Sequence, residues 1–141
     1  MSMKNFLKIS EKDIFPISLI VLLAISRLIP HPPNFTPIVA VAIMSSYFFR
    51  NINLSFVVLL ISMAISDAII GFHSNIIFVY LSLFLITFIF FKINKKINLK
   101  SLLVFGFLGS AMFFLVSNFG VWLLTDMYEK SLGGLVSCYI L

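Results

Sequence analysis

Charge is the first thing this sequence lacks. Only 11% of its 141 residues are Asp, Glu, Lys or Arg, and the acidic ones number five. A water-soluble domain carries roughly a quarter charged residues. The chain is instead 61% hydrophobic, with a mean hydropathy of +1.14. A soluble core of this size cannot hide that much apolar surface, so the bilayer must be its solvent. The single cysteine, Cys138, excludes an intrachain disulfide. Two histidines without a third well-spaced ligand make a weak metal signal. The sequence has no H-E-x-x-H, no G-x-S-x-G and no P-loop. A net charge of +5 does not point to nucleic acid, because the basic residues sit in short segments between apolar runs, the pattern of cytoplasmic loops. No cofactor, metal or enzyme activity is expected.

What is present is a succession of apolar runs. They predict an all-α polytopic transmembrane helix bundle with five full spans plus a partial sixth, in one integral membrane domain over residues 1–141. The lysines at 4, 8 and 12 precede an apolar run, as in a signal peptide, but no small-residue cleavage site follows. Residues 1–13 are therefore expected to form an N-terminal segment ahead of a first membrane helix. That helix is expected over 14–29, with Asp13 as cap and Pro16 in its first turn, ending at Pro30, Pro32 and Pro33. A second is expected over 37–49, with Thr36 as cap, and a third over 52–70, stopped by Gly71. A fourth follows over 76–93 after a Ser74-Asn75 cap, and a fifth over 101–124. Residues 132–141 begin an incomplete last helix, too short to cross the bilayer; it is expected to be re-entrant, or the chain to be a truncated form of a longer one.

Orientation follows from the distribution of cations. Lys4, Lys8, Lys12, Arg50, Lys92, Lys95, Lys96 and Lys100 fall in alternate segments, on one side of the membrane. The opposite segments hold only Lys130, and Arg27 lies inside the first helix. The positive-inside rule then places the N-terminus in the cytoplasm.

The unusual polar residues gather near the other side. Arg27 and Asp67 are expected at similar depth, near the outer ends of the first and third helices. Asp67 opposes the dipole of its own helix and needs a cation. Arg27 is the obvious one, either as a helix–helix tether or as part of a polar ligand site. The run His31-Pro-Pro-Asn34-Phe-Thr36-Pro37 is the most distinctive local sequence. It is either a capped turn or a lid whose helix N-terminus faces a polar ligand group. Asn34-Phe-Thr36 also matches a glycosylation sequon, weakened by the Pro that follows. Asn118 and Trp122 belong to the outer half of the fifth helix. Asn118 is either an interhelical hydrogen-bond partner or a ligand donor, and Trp122 an interfacial anchor or a stacking platform. His73 joins His31 on the same side. Small-xxx-small pairs at Ser62/Ser66, Ala64/Ala68 and Ala42/Ser46 are expected at tight helix contacts.

The run from Arg27 to Pro37, then Ser66-Asp67, Gly71-Phe72-His73 and Asn118-Phe-Gly-Val-Trp122, then Tyr128, Lys130, Leu132, Gly134-Leu135 and Cys138-Tyr139, resembles a family of small, largely uncharacterised bacterial integral membrane proteins. That family is similar to the substrate-binding (S) components of energy-coupling-factor transporters. The resemblance covers about residues 20 to 141. It implies six transmembrane helices in a bacterial cytoplasmic membrane, an outward-facing pocket closed by the loop between the first two helices, and a separate coupling transmembrane subunit with paired ATPases. Such components typically offer an Ala-x-x-x-Ala patch on the first helix to the coupling subunit; here that helix has only Ala24 small beyond its serines. The expected function is capture of a small molecule on the non-cytoplasmic side for uptake. The ligand-binding candidates are Arg27, His31, Asn34, Thr36, Asp67, His73, Asn118 and Trp122. The competing expectation is an accessory or assembly membrane protein whose outer polar cluster only joins helices. An intramembrane enzyme using His31, His73 and Asp67 would lack a nucleophile or a metal triad.

Overall fold

Small polar side chains lie inside this molecule beside an apolar core that includes Ile20, Phe49, Leu59 and Ile86, while many large apolar side chains face outward. Ser45, Ser46, Ser55, Ser62, Ser66, Asp67, Ser82 and Thr87 are buried, whereas Phe72, Ile77, Phe107 and Leu132 are each about 70% exposed or more. Water would not tolerate that arrangement; lipid favours it. The computed structural model describes residues 9–29, 37–49, 51–93 and 98–141. Regular structure among them is helical throughout: α1 (Glu11–Ile25), running into a 3-10 turn (Ser26–Leu28), then α2 (Ile38–Phe48), α3 (Ile52–Ile70), α4 (Ile76–Ile93), α5 (Leu99–Leu124) and α6 (Leu132–Ile140).

The expected five full spans are not found. Among the described residues, three helices are long and apolar enough to cross a membrane, namely α3, α4 and α5. They mark the chain as a membrane protein. The α1, α2 and α6 helices have 15, 11 and 9 residues. The α2 helix is thus only about 16 Å long, against a hydrocarbon core of about 30 Å. It starts after Pro37 and stops where Phe49 turns extended. It need not match the bilayer, because α1, α3, α4 and α5 all pack around it. Among the described residues α6 packs on α5 alone, and α1 touches neither α4 nor α5.

Two local expectations also shift. Asp13 does not precede α1 but is its third residue, where its carboxylate accepts from the Ser10 backbone N–H at 2.8 Å and from the Ser10 hydroxyl at 2.9 Å. This bond from the Ser10 backbone to the third helical residue starts the helix a turn early and leaves Pro16 inside the helix rather than in its first turn. Asn75 does not cap α4 with its side chain. Its amide instead donates across to the Ser117 carbonyl of α5 at 2.8 Å.

The serines explain how polar residues survive inside. The hydroxyls of Ser45, Ser46, Ser66 and Ser82 donate to carbonyls three residues earlier, at 2.6–2.9 Å. Each is small and satisfied within its own helix. Others cross between helices. The Ser55 hydroxyl donates to the Ser45 carbonyl at 2.9 Å, joining α3 to α2, and Thr87 reaches the Ala42 carbonyl at 3.4 Å, joining α4 to α2. The expected pairs Ser62/Ser66 and Ala42/Ser46 are buried, but Ala64 and Ala68 are exposed and pack no helix tightly. Gly120 is the closest approach of α5 to α4. A Cβ there would collide with Asn75 Oδ1 and with the Phe78 side chain.

Candidate functional site

The structure divides the expected polar cluster into two places. The first centres on Asp67, which is 1% exposed. Its Oδ1 lies 3.0 Å from Arg27 Nη1, and its Oδ2 accepts from the Tyr80 hydroxyl at 2.8 Å. Arg27 Nη1 also donates to Ser66 Oγ at 2.7 Å and lies 3.4 Å from Met63 Sδ. The 3-10 turn after α1, the end of α3 and the start of α4 are thereby tied together. Both carboxylate oxygens have partners, so the charge that opposes the α3 dipole is compensated by Arg27. This is the geometry of a tether.

Tyr80 was not among the expected site residues. The α3–α4 hairpin held the clue: Asp67 stands four residues before the Gly71 turn and Tyr80 four residues after Ile76, which brings them level. Tyr80→Phe should cost about 1–2 kcal/mol, one hydrogen bond to a charged acceptor inside a membrane helix pair. A melting curve in detergent reads this; no loss at all would mean that water serves Asp67 instead.

The second place is beside α5. A cavity of about 430 Å³ lies between α2, α5 and α6, lined among others by Ser110, Phe113, Ser117, Asn118, Cys138 and Tyr139. Its wall includes neither Arg27 nor Asp67, and α5 touches neither α1 nor α3 among the described residues. Asn118 therefore does not share a pocket wall with the ion pair, although the three residues were expected at one depth: they are held apart laterally by α2 and α4. Asn118 Nδ2 donates to the Phe114 carbonyl of its own helix at 2.9 Å, so it does not join two helices through that amide. Instead α6 joins α5 through the Tyr139 hydroxyl to the Leu115 carbonyl at 2.7 Å and Cys138 Sγ to the Asn118 carbonyl at 3.3 Å.

Trp122 organises the α5–α6 link. Its indole N–H donates to the Glu129 carbonyl at 2.9 Å, its ring packs on Phe119 at 5.7 Å between centroids, and the Lys130 ammonium lies 6.0 Å over it. Lys130 Nζ also donates to the Trp122 and Thr125 carbonyls, a cation placed on the negative end of the α5 dipole. Gly134 is required here, since a Cβ would strike the Glu129 carbonyl. His73 is exposed between α3 and α4. His31, Asn34 and Thr36 lie outside the described residues. Among the described residues no three His, Cys, Asp or Glu side chains gather as a metal site would need.

No curated protein and no solved structure matches the chain. A family model does, over residues 8–141. The chain belongs to that family, a family of unknown function, DUF6580.

Proposed function

We propose that the protein is the membrane-embedded small-molecule-binding component of an uptake system, with its N-terminus in the cytoplasm and its ligand captured from the non-cytoplasmic side. The observation that carries this reading is the cavity between α2, α5 and α6. It lies toward the end of the bundle opposite Lys92 and Lys100, lined by the start of α2 and the second half of α5, and has a size suited to a small ligand. Hydroxyl, amide and thiol groups share its wall with phenylalanines, and none of the lining side chains is Asp, Glu, Lys or Arg. A charged ligand would find no charged side chain there, so the side chains favour a molecule with an aromatic or apolar body and a few hydrogen-bonding groups. In this reading Asn118 orients the ligand. His31, Asn34 and Thr36, outside the described residues, remain lid candidates on sequence grounds alone, and Arg27, Asp67 and His73 remain candidates for the same side. The resemblance to S components favours a bacterial cytoplasmic membrane, a coupling transmembrane subunit and ATPases as partners.

Native mass spectrometry of the protein in mild detergent tests the proposal. One small neutral molecule per chain is the expected finding, lost on Asn118→Leu while the melting temperature stays close to wild type. An empty wild-type protein that no member of a neutral metabolite panel stabilises would sink it. The second reading, an accessory or assembly protein, is favoured by the fully partnered Asp67 carboxylate. It expects a partner protein to co-purify whether or not Asn118 is replaced.

A further inference from the structure

A second cavity, of about 620 Å³, lies between α2 and α5. Its wall includes Ala40, Met44, Phe48, Leu102 and Gly106, and only Tyr47 and Ser110 bring a hydroxyl to it. Val39 and Ser110 line this cavity and the cavity beside α6 alike. The two spaces therefore adjoin along one helix pair. On α5 this one reaches from Ser110 back to Leu102, and the other from Ser110 on to Asn118. We infer that one ligand occupies both: an amphiphile whose hydrogen-bonding head sits beside Asn118 and whose apolar tail passes Val39 and Ser110 into the second cavity. This rests on the ligand site proposed above and names the class of molecule that the site takes.

Polarity changes along the joined space in the order that an amphiphile needs. At the α6 end, Ser117, Asn118, Cys138 and Tyr139 bring hydroxyl, amide and thiol groups to the wall. Beyond Ser110 the lining turns to Met, Leu, Phe and Ala side chains. A compact ligand held at Asn118 would leave that apolar wall uncovered, whereas a tail buries it. A Cβ at Gly109 would come within 3.0 Å of Val39 Cγ1 and 3.1 Å of Ile43 Cδ1. The α2 and α5 helices thus close on each other beside the junction, and the tail passes over the small, exposed side chain of Ser110 rather than between the helices.

Length decides against an ordinary bilayer phospholipid. From Leu102 to Asn118 the α5 helix rises about 24 Å, more than the roughly 15 Å of one leaflet, half of the hydrocarbon core. A phospholipid keeps its headgroup at the surface and its chains in its own leaflet, so it covers only one part of the joined space. The inner part can be filled without straining α5, since a Cβ at Gly106 would meet nothing within 4 Å.

The test exchanges the protein from detergent into amphipol. Equilibrium dialysis then measures binding of 1-butyryl, 1-hexanoyl and 1-octanoyl glycerol, one neutral head on tails of rising length, with protein-free amphipol as the blank. Affinity should tighten by about tenfold or more from butyryl to octanoyl, because each added methylene is buried. Gly106→Leu, which fills only the inner cavity, should leave butyryl binding unchanged and remove the gain with length. Ala40→Leu fills the same cavity from α2 and should do likewise if Gly106→Leu fails to fold. Asn118→Leu should weaken all three probes by a similar factor. A wild type that binds the three equally, or a gain with length that survives in a folded filled variant, overturns the inference and leaves the outer ligand site standing. A gain that the filled variants remove but Asn118→Leu leaves untouched overturns it as well, and assigns the inner cavity to a lipid chain. A wild type that binds none of the three overturns the inference together with the site on which it rests.

Discussion

Asp67→Ala should destabilise the bundle by about 3–5 kcal/mol, the cost of leaving a buried charge without its partner. The substitution strands the Arg27 guanidinium, whose side chain is 12% exposed and 3.0 Å from the lost carboxylate. It also removes the acceptor of the Tyr80 hydroxyl. Arg27→Met should cost a similar amount, since Asp67 is buried still more deeply. The double variant Arg27→Met/Asp67→Leu should recover most of the loss, because it strands no charge. Unfolding in detergent micelles, followed by circular dichroism, gives all three values. Single variants within 1 kcal/mol of wild type would mean that the pair is solvated and holds little together. Loss of ligand without loss of stability would instead return Arg27 and Asp67 to the binding site as its polar floor.

Gly120→Val should be the next most damaging change, by about 1–3 kcal/mol or more from overpacking. The α5 backbone meets the side chains of Asn75 and Phe78 at this glycine, and any side chain there runs into Asn75 Oδ1 and the body of Phe78. Separating the helices also breaks the 2.8 Å bond from Asn75 to the Ser117 carbonyl, a membrane hydrogen bond of about 0.6 kcal/mol. Asn75→Ala relieves part of the collision, so the Gly120→Val/Asn75→Ala double variant should lose less than the two singles together. A double-mutant cycle that is additive to within about 0.5 kcal/mol would show that the two helices do not approach here.

The parts of this molecule that were legible in its sequence are those governed by one segment at a time. Apolar runs bounded by proline and glycine located all six helices, and the shortness of α2 and α6 was visible in residue counts. The Arg27–Asp67 pair was legible because an acid at the end of an apolar helix demands a cation. What was not legible depends on lateral position. Asn118, Arg27 and Asp67 were expected at one depth, but an expected depth says nothing about which helix stands between them, and here α2 and α4 do. Asn75 has the sequence context of a helix cap, and only the proximity of Gly120 reveals that its amide faces α5. The start of α1 was misjudged for a local reason: the Asp13 carboxylate accepts from the Ser10 backbone N–H and hydroxyl, so the helix begins a turn before its apolar stretch.

The α5 helix has 26 residues, about 39 Å of rise, roughly 9 Å more than the hydrocarbon core is thick. The excess must protrude or be taken up by leaning, and full accommodation would need about 40° from the bilayer normal, the upper end of what membrane helices adopt. The other two helices long enough to span, α3 and α4, have 19 and 18 residues and match the core without such excess. Among the three helices long enough to span, excess length therefore falls on one, and that helix forms a wall of both cavities. Bilayer thickness therefore bears first on the helix that the two spaces share as a wall.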